Sequence, residues 1–206
     1  MPSQFEIAIR HEVSVNRLAS QIVAAHINPA FININELVRR LMLDYDPSMS
    51  TRDYEALRKR TEKQLRKALE TMWGDLTKDL KTFADYEAEY HAKALSAASG
   101  EAFATVTAAV VSESVNKNLM TLVSGDTVKT GFWPEWVAGN ADSTIKLVDA
   151  EIRAGRAAKL GNAEIVKRIT GLKKNNYEDG LLNKFPKNWA KTLVNTGASH
   201  YAVSYT

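Results

Sequence analysis

The sequence feature that most restricts the fold is an apolar repeat between residues 50 and 95. Its members follow one another at steps of three to five residues, which is the spacing of one face of an α-helix. They are Tyr54, Leu57, Thr61, Leu65, Leu69, Met72, Leu76, Leu80, Phe83, Tyr86 or Glu87, Tyr90 and Leu95. Ser50 and Asp53 resemble a capping box at the start, and Gly74 is the one weak point inside. The repeat predicts a single helix of about 45 residues, roughly 65 Å long.

A helix of this length needs a partner along its side, because an apolar stripe on an isolated helix would face water. The segment from Glu101 to Val123, with Val106, Val110, Val115 and Leu119 at helical spacing, predicts a fourth helix. We expect it to pack back antiparallel on the long helix after Gly100. Strand patterns are nearly absent, so the sequence predicts an all-α fold containing a long antiparallel helical hairpin.

Two shorter helices are predicted before the long one. The first runs from near Ser3 to His26, and we expect Asn28-Pro29 to end it because proline restricts the residue before it. The second begins near Asn33 or Asn35 and ends before Asp46-Pro47. Both precede the hairpin, so we assign residues 1–124 to one extended helical region.

A change of composition occurs at residues 125–140, which hold Gly, Pro and an aromatic group made of Phe132, Trp133 and Trp136. We predict a long ordered loop, because these aromatic side chains need a surface to bury against. Two interpretations stay open: the aromatic group anchors a partner protein, or it forms an intramolecular clasp between the hairpin and the rest of the chain. The loop separates the hairpin from the C-terminal third of the chain.

The last predicted unit is a small C-terminal helical subdomain at residues 141–206. Its helices are expected at residues 141–159, at 162–170 before Gly171, and from Asn188 onward, with a turn at Asp179-Gly180. We expect this subdomain to be complete at Thr206, while the sequence leaves open whether the gene product continues.

Charge and composition limit the classes of function. The chain of 206 residues has a net charge of +3, and it contains no cysteine for disulfides or thiolate metal sites. No apolar run approaches the roughly 20 residues of a membrane span, so none is predicted. Residues 167–206 carry a local charge of +5, which predicts either a DNA-facing surface or a solvated lysine-rich one. The basic residues are Lys167, Arg168, Lys173, Lys174, Lys184, Lys187 and Lys191.

Motifs of catalysis are missing from the sequence. His11-Glu12 does not belong to an HExxH motif, and there is no phosphate-binding glycine loop or G-x-S-x-G elbow. Glu87 and His91 are four residues apart on one helical face, and we interpret them as a solvated pair because no second histidine-rich face completes a metal site. The sequence therefore predicts no enzyme, no cofactor, no metal and no small-molecule substrate.

Two stretches of the last third resemble phage head morphogenesis proteins, the minor capsid proteins related to that of phage Mu. The first stretch is "STIKLVDAEIRAGRAAKLGNAEIVKRITGL", in which Gly161, Ile165 and Ile169 match a Gly-led turn and a short helix. The second is "YEDGLLNKFPKNWAKTLVNTGASHYAVSYT", in which the family's closing helix is matched by Ala190, Thr192, Leu193, Val194 and Thr196. Asn195 and Gly197 stand where the family usually has Arg and Glu, so no role of those two residues is carried over.

The resemblance implies a structural role in a tailed-phage head. Its expected partners are the portal protein, the major capsid protein and packaged DNA, and the expected location is the capsid interior or portal vertex, after assembly in the host cytoplasm. Such a protein assists head assembly and genome packaging or ejection. The alternative function is a DNA-binding adaptor or regulator that uses the basic C-terminal segment.

Overall fold

The computed structural model describes residues 4–46, 48–100, 120–124 and 127–203, and its architecture is all-α with one small β-hairpin. The helices are α1 (Gln4–Ile22), α2 (Asn28–Asp44), α3 (Thr51–Ser99), α4 (Trp133–Ala157), α5 (Asn162–Thr170) and α6 (Asn188–Val203). The strands are β1 (Met120–Ser124) and β2 (Thr127–Gly131). In the described part of the chain, no helix combines the length and the apolar character that crossing a membrane requires.

Internal contacts divide the chain into two interleaved units. Unit 1 consists of Met1–Ala25, Gly74–Trp136 and Thr192–Thr206, and unit 2 consists of His26–Trp73 and Val137–Lys191. The predicted boundaries at residues 124 and 140 do not coincide with these units. The predicted division assumed that each unit is one continuous stretch of sequence. In the structure, α3, α4 and α6 each contribute residues to both units.

The long helix α3 starts as predicted. The backbone N–H of Asp53 donates to Oγ of Ser50 at 3.1 Å, and this hydroxyl donates to Oδ2 of Asp53 at 2.6 Å. The helix extends over 49 residues. Its buried stripe follows the predicted repeat as far as Leu80 and then continues through Glu87, whereas Tyr86 is 52% exposed. Of the two positions left open by the repeat, the structure therefore buries Glu87.

The helical backbone continues from α1 into α2, where a break was expected. Asn28-Pro29 does not end the first helix, because the π-helical turn Val23–Ile27 leads directly into α2 and Pro29 lies in its first turn. Proline is tolerated there because the first-turn N–H groups lack helical partners in any case. In unit 2, Asp44 at the end of α2 pairs with Arg60 of α3 at 2.8 Å. Most of the predicted fourth helix, the expected partner of α3, falls at residues 101–119, outside the described part of the chain.

The prediction of helix up to Val123 and of a loop at 125–140 is wrong. Strands β1 and β2 pair antiparallel, with Met120 opposite Gly131 and Ser124 opposite Thr127. Helix α4 then begins at Trp133, so half of the predicted loop is helical. A hairpin of two short strands gives only a weak alternating pattern, which the surrounding helical spacing conceals.

Helix α5 has the predicted bounds. Gly161 is its N-cap and Gly171 its C-cap, and the φ of 77° at Gly171 is one that glycine adopts without strain. Within unit 2, α5 packs on α2, and Nδ2 of Asn162 donates to the carbonyl oxygens of Met42 and Tyr45, both at 3.0 Å. These contacts fix the start of α5 to the end of α2. Before α6, a second π-helical turn at Asn183–Lys187 accommodates Pro186.

Candidate functional site

The predicted partner-binding group includes Trp133, which is a core residue of unit 1. Its side chain is 2% exposed, and Nε1 donates to Oγ1 of Thr77 at 3.0 Å. The ring also lies against the backbone of Gly197. For Trp133, this environment favours the intramolecular interpretation, because a buried ring presents no surface to a partner.

The other two aromatic residues are half-buried. The backbone N–H of Phe132 donates to Oε2 of Glu135 at 3.0 Å, which fixes the first turn of α4. The indole of Trp136 lies beside Gly131 at the end of β2, where a Cβ atom would come within 3.0 Å of Nε1. Phe132 and Trp136 are therefore partly exposed, and partner binding through them stays a prediction.

The predicted DNA-facing residues fall into two groups. Lys167 and Arg168 lie on α5 near acidic side chains, with Arg168 3.4 Å from Glu151 and Lys167 3.9 Å from Glu164. Such exposed pairs reduce the local positive charge and contribute little stability. The other group is exposed or half-buried, and its members are Lys173, Lys174, Lys184, Lys187 and Lys191.

Lys187 is half-buried next to another lysine. Partial burial lowers its pKa, and repulsion from Lys191, one helical turn further along, lowers it again. A bound anion such as a phosphate group would offset this repulsion.

Arg58 and Arg66 of α3 make ion pairs within unit 2. Arg58 lies 3.3 Å from Asp149 and 2.9 Å from Glu55, and Arg66 lies 2.9 Å from Asp142. Arg58 and Asp149 also line a cleft of about 160 Å³ together with Leu41, Leu65 and Ile145. Since ligand pockets usually measure roughly 300–1,000 Å³, this cleft is small for an organic substrate.

A histidine cluster in unit 1 was missed by the sequence prediction. His11 of α1 lies beside Glu87 and His91 of α3, and one potential ligand atom from each residue lies within 4.8 Å of the others. Nδ1 of His11 is 2.6 Å from Oε2 of Glu87, and Nε2 of His91 is 3.7 Å from the same oxygen. The interpretation of Glu87 and His91 as a solvated pair without a third partner is therefore wrong.

Burial distinguishes the members of this cluster. The carboxylate of Glu87 is 2% exposed, while the imidazoles of His11 and His91 are each 22% exposed. The two imidazole rings lie 5.6 Å apart between centroids, and Tyr90 meets His91 edge-on at 5.7 Å. The guanidinium of Arg10 in turn lies 4.5 Å from the centre of the Tyr90 ring. The spacing of Glu87 and His91 is visible in the sequence, but the approach of His11 from another helix is not.

No protein-family model, no curated protein and no solved structure matches this chain. The resemblance to phage head morphogenesis proteins thus rests on the motif residues themselves.

Proposed function

We propose that this protein is a structural minor head protein of a tailed phage. It binds the portal and the capsid interior and assists head assembly and the packaging or ejection of the genome. In this proposal its role is binding rather than catalysis. Its location is the virion, after assembly in the host cytoplasm.

The observation that carries the proposal is the burial of the apolar motif residues in α5 and α6. Gly161 caps α5, and the side chains of Ile165 and Ile169 are buried. Ala190, Leu193 and Val194 of the second motif are likewise fully buried in α6. Apolar residues that define a family's fold are expected in the core. The burial of both sets therefore supports an interpretation of these segments as that family's structural motifs.

The proposed partner surface uses Phe132 and Trp136. Aromatic side chains contribute much of the binding energy in protein interfaces, and these two are half-buried and so partly accessible in the free chain. A portal is a symmetric ring, so a bound minor head protein should occupy several equivalent sites on it. Binding at this surface would leave the buried Trp133 in place.

The test is co-purification of the chain with the portal and major capsid proteins of the same phage, followed by native mass measurement. We expect a complex with the portal ring that the double variant F132A/W136A weakens at least tenfold. The control is F185A, which removes an aromatic residue that is 61% exposed and lies outside the proposed surface. Failure of the unmodified chain to bind either protein would refute the proposal.

The alternative function is a DNA-binding adaptor or regulator. The two residues that support it are Lys187 and Lys191. Partial burial and then repulsion from Lys191 lower the pKa of Lys187, and DNA phosphates are one kind of anion that would offset this repulsion. This function requires binding of the full chain to duplex DNA that weakens steeply as salt rises. The double variant K187Q/K191Q should reduce that salt dependence, and an unmodified chain that is not retained on DNA at low salt excludes the alternative.

A further inference from the structure

We infer that His11, Glu87 and His91 bind one divalent first-row transition-metal ion, with Zn²⁺ as the best match. This inference is independent of the proposed phage role. Two imidazole nitrogens and one carboxylate oxygen are a ligand set that Zn²⁺ accepts, and three protein ligands leave a position for water or another group. The hard cations Mg²⁺ and Ca²⁺ prefer oxygen ligands throughout, so we expect them to bind weakly.

The separations within the cluster are close to those of a tetrahedral site. With metal–ligand bonds of about 2.0–2.1 Å, neighbouring ligand atoms lie roughly 3.3 Å apart. The distances of 2.6 and 3.7 Å from Oε2 of Glu87 to the two histidines lie on either side of this value. The remaining separation is at most 4.8 Å. We expect side-chain rotation on binding to open the short contact and to close the longer separations around one ion.

His91 supplies the second observation. Its Nε2 atom is buried and has no hydrogen-bond partner among the described residues, although it lies 3.7 Å from the Glu87 carboxylate. A buried polar atom without a partner is costly, and a bond to a metal ion would satisfy it. The nitrogen that lacks a partner is thus the one that faces the candidate ligand oxygen.

The competing explanation is a simple hydrogen bond between His11 and Glu87 that satisfies a buried carboxylate. That explanation uses the 2.6 Å contact and requires nothing of His91. The metal site requires all three residues. Variants of His91 therefore distinguish the two explanations most directly.

An ion in this site would join α1 to α3 within unit 1. Since the three ligands come together only in the folded chain, the ion would bind the native state in preference to the unfolded one. Metal binding should therefore raise the melting temperature of the chain.

The experiment is calorimetric titration of the chelator-treated full chain with ZnCl₂, with Co²⁺ absorption as a second readout. We expect one ion per chain, and a Co²⁺ spectrum that moves from the six-coordinate aqueous form to the more intense form of a lower-coordinate site. H11A, H91A and E87Q should each weaken binding at least tenfold. The control H26A removes a histidine outside the cluster and should bind as tightly as the unmodified chain.

A second variant separates loss of Zn²⁺ binding from misfolding of the ligand variants. E87Q alters a buried carboxylate and is the variant most exposed to misfolding, whereas His91 is partly exposed and tolerates substitution better. H91Q therefore serves as a second ligand variant, with helix content checked by circular dichroism. If H91A and H91Q bind Zn²⁺ like the unmodified chain, or if that chain shows no saturable binding of one ion, the site is a hydrogen-bonded pair and the inference is wrong.

Discussion

The six-membered ring of Trp133 and the backbone of Gly197 are in direct contact, so that a Cβ atom at residue 197 would lie 2.5 Å from Cζ3 of the ring. This contact places the start of α4 against α6 inside unit 1. It also explains why a glycine is present in the middle of α6, where its helix propensity is unfavourable. Residue 197 has no room for a side chain.

We therefore expect G197A to destabilise the protein by about 1–3 kcal/mol, since the added methyl group must displace a buried ring. Urea denaturation followed by circular dichroism measures the change. The matched control is G139A in α4, where an added Cβ would meet no atom within 4 Å. That control should leave stability unchanged or raise it slightly, because alanine favours helix. Equal effects of the two substitutions would contradict the packing argument.

Trp133 should contribute more than Trp136 to the stability of the fold. W133A should reduce stability by about 3–5 kcal/mol, because it removes a fully buried ring. W136A should cost less, because that side chain is half-buried. Thermal melting of both variants checks this order, and a larger loss for W136A would contradict it.

Gly155 of α4 makes a similar close approach in unit 2. A Cβ atom there would lie 2.5 Å from Cγ1 and 2.8 Å from Cδ1 of Ile165 on α5. We expect G155A to destabilise the chain by about 1–3 kcal/mol, and to do so much less in an I165A background, where both of these atoms are absent. A double-mutant cycle by urea denaturation measures the coupling, and purely additive effects would show that Ile165 is not the obstacle.

Asp179 should make stability depend on pH in the acid range. The backbone N–H of Leu172 donates to its Oδ1 at 2.9 Å, and this hydrogen bond lowers the pKa of Asp179 in the folded chain. A lowered folded-state pKa means that the ionised carboxylate stabilises the fold above the ordinary value of about 3.9, and that this contribution is lost as pH falls through the folded-state pKa.

The stability difference between the unmodified chain and D179A should accordingly be largest near neutral pH and should shrink below about pH 4. Urea denaturation at a series of pH values measures it, and the other titrating groups largely cancel in the comparison. D179N, which keeps an acceptor oxygen but no charge, should lie between the two at neutral pH. A difference that grows toward low pH would have the wrong sign for this mechanism.

The parts of the fold that the sequence predicted well are those set by local signals. The capping box at Ser50 and the repeat after it predicted α3, and the glycines at 161 and 171 predicted α5, because caps and helical spacing involve neighbouring residues. The continuation of helix through Asn28-Pro29 was missed, because this pair normally ends a helix, whereas here Pro29 lies in the first turn of α2 and its missing N–H is tolerated.

The candidate metal site could not be predicted in full, because it joins residues that are distant in the sequence. Glu87 and His91 are one helical turn apart, and that spacing is visible in the sequence. His11 lies 76 residues before Glu87, so its approach depends on how α1 packs on α3, and no local pattern encodes that. The aromatic residues were identified as a group that needs burial, which is correct for Trp133. The division into a buried Trp133 and a half-buried Trp136 depends on the register of α4, whose start was predicted too late.

The interleaving of the two units has a consequence for synthesis on the ribosome. Unit 2 has its last segment, Val137–Lys191, available before the final segment of unit 1 has been translated. Unit 1 must wait for Thr192 and the residues after it, including Leu193 and Gly197, even though its first segment is made before any of unit 2. During translation, the ring of Trp133 therefore lacks its contact with Gly197 until that residue is made, and this interval is when a chaperone would have most to bind.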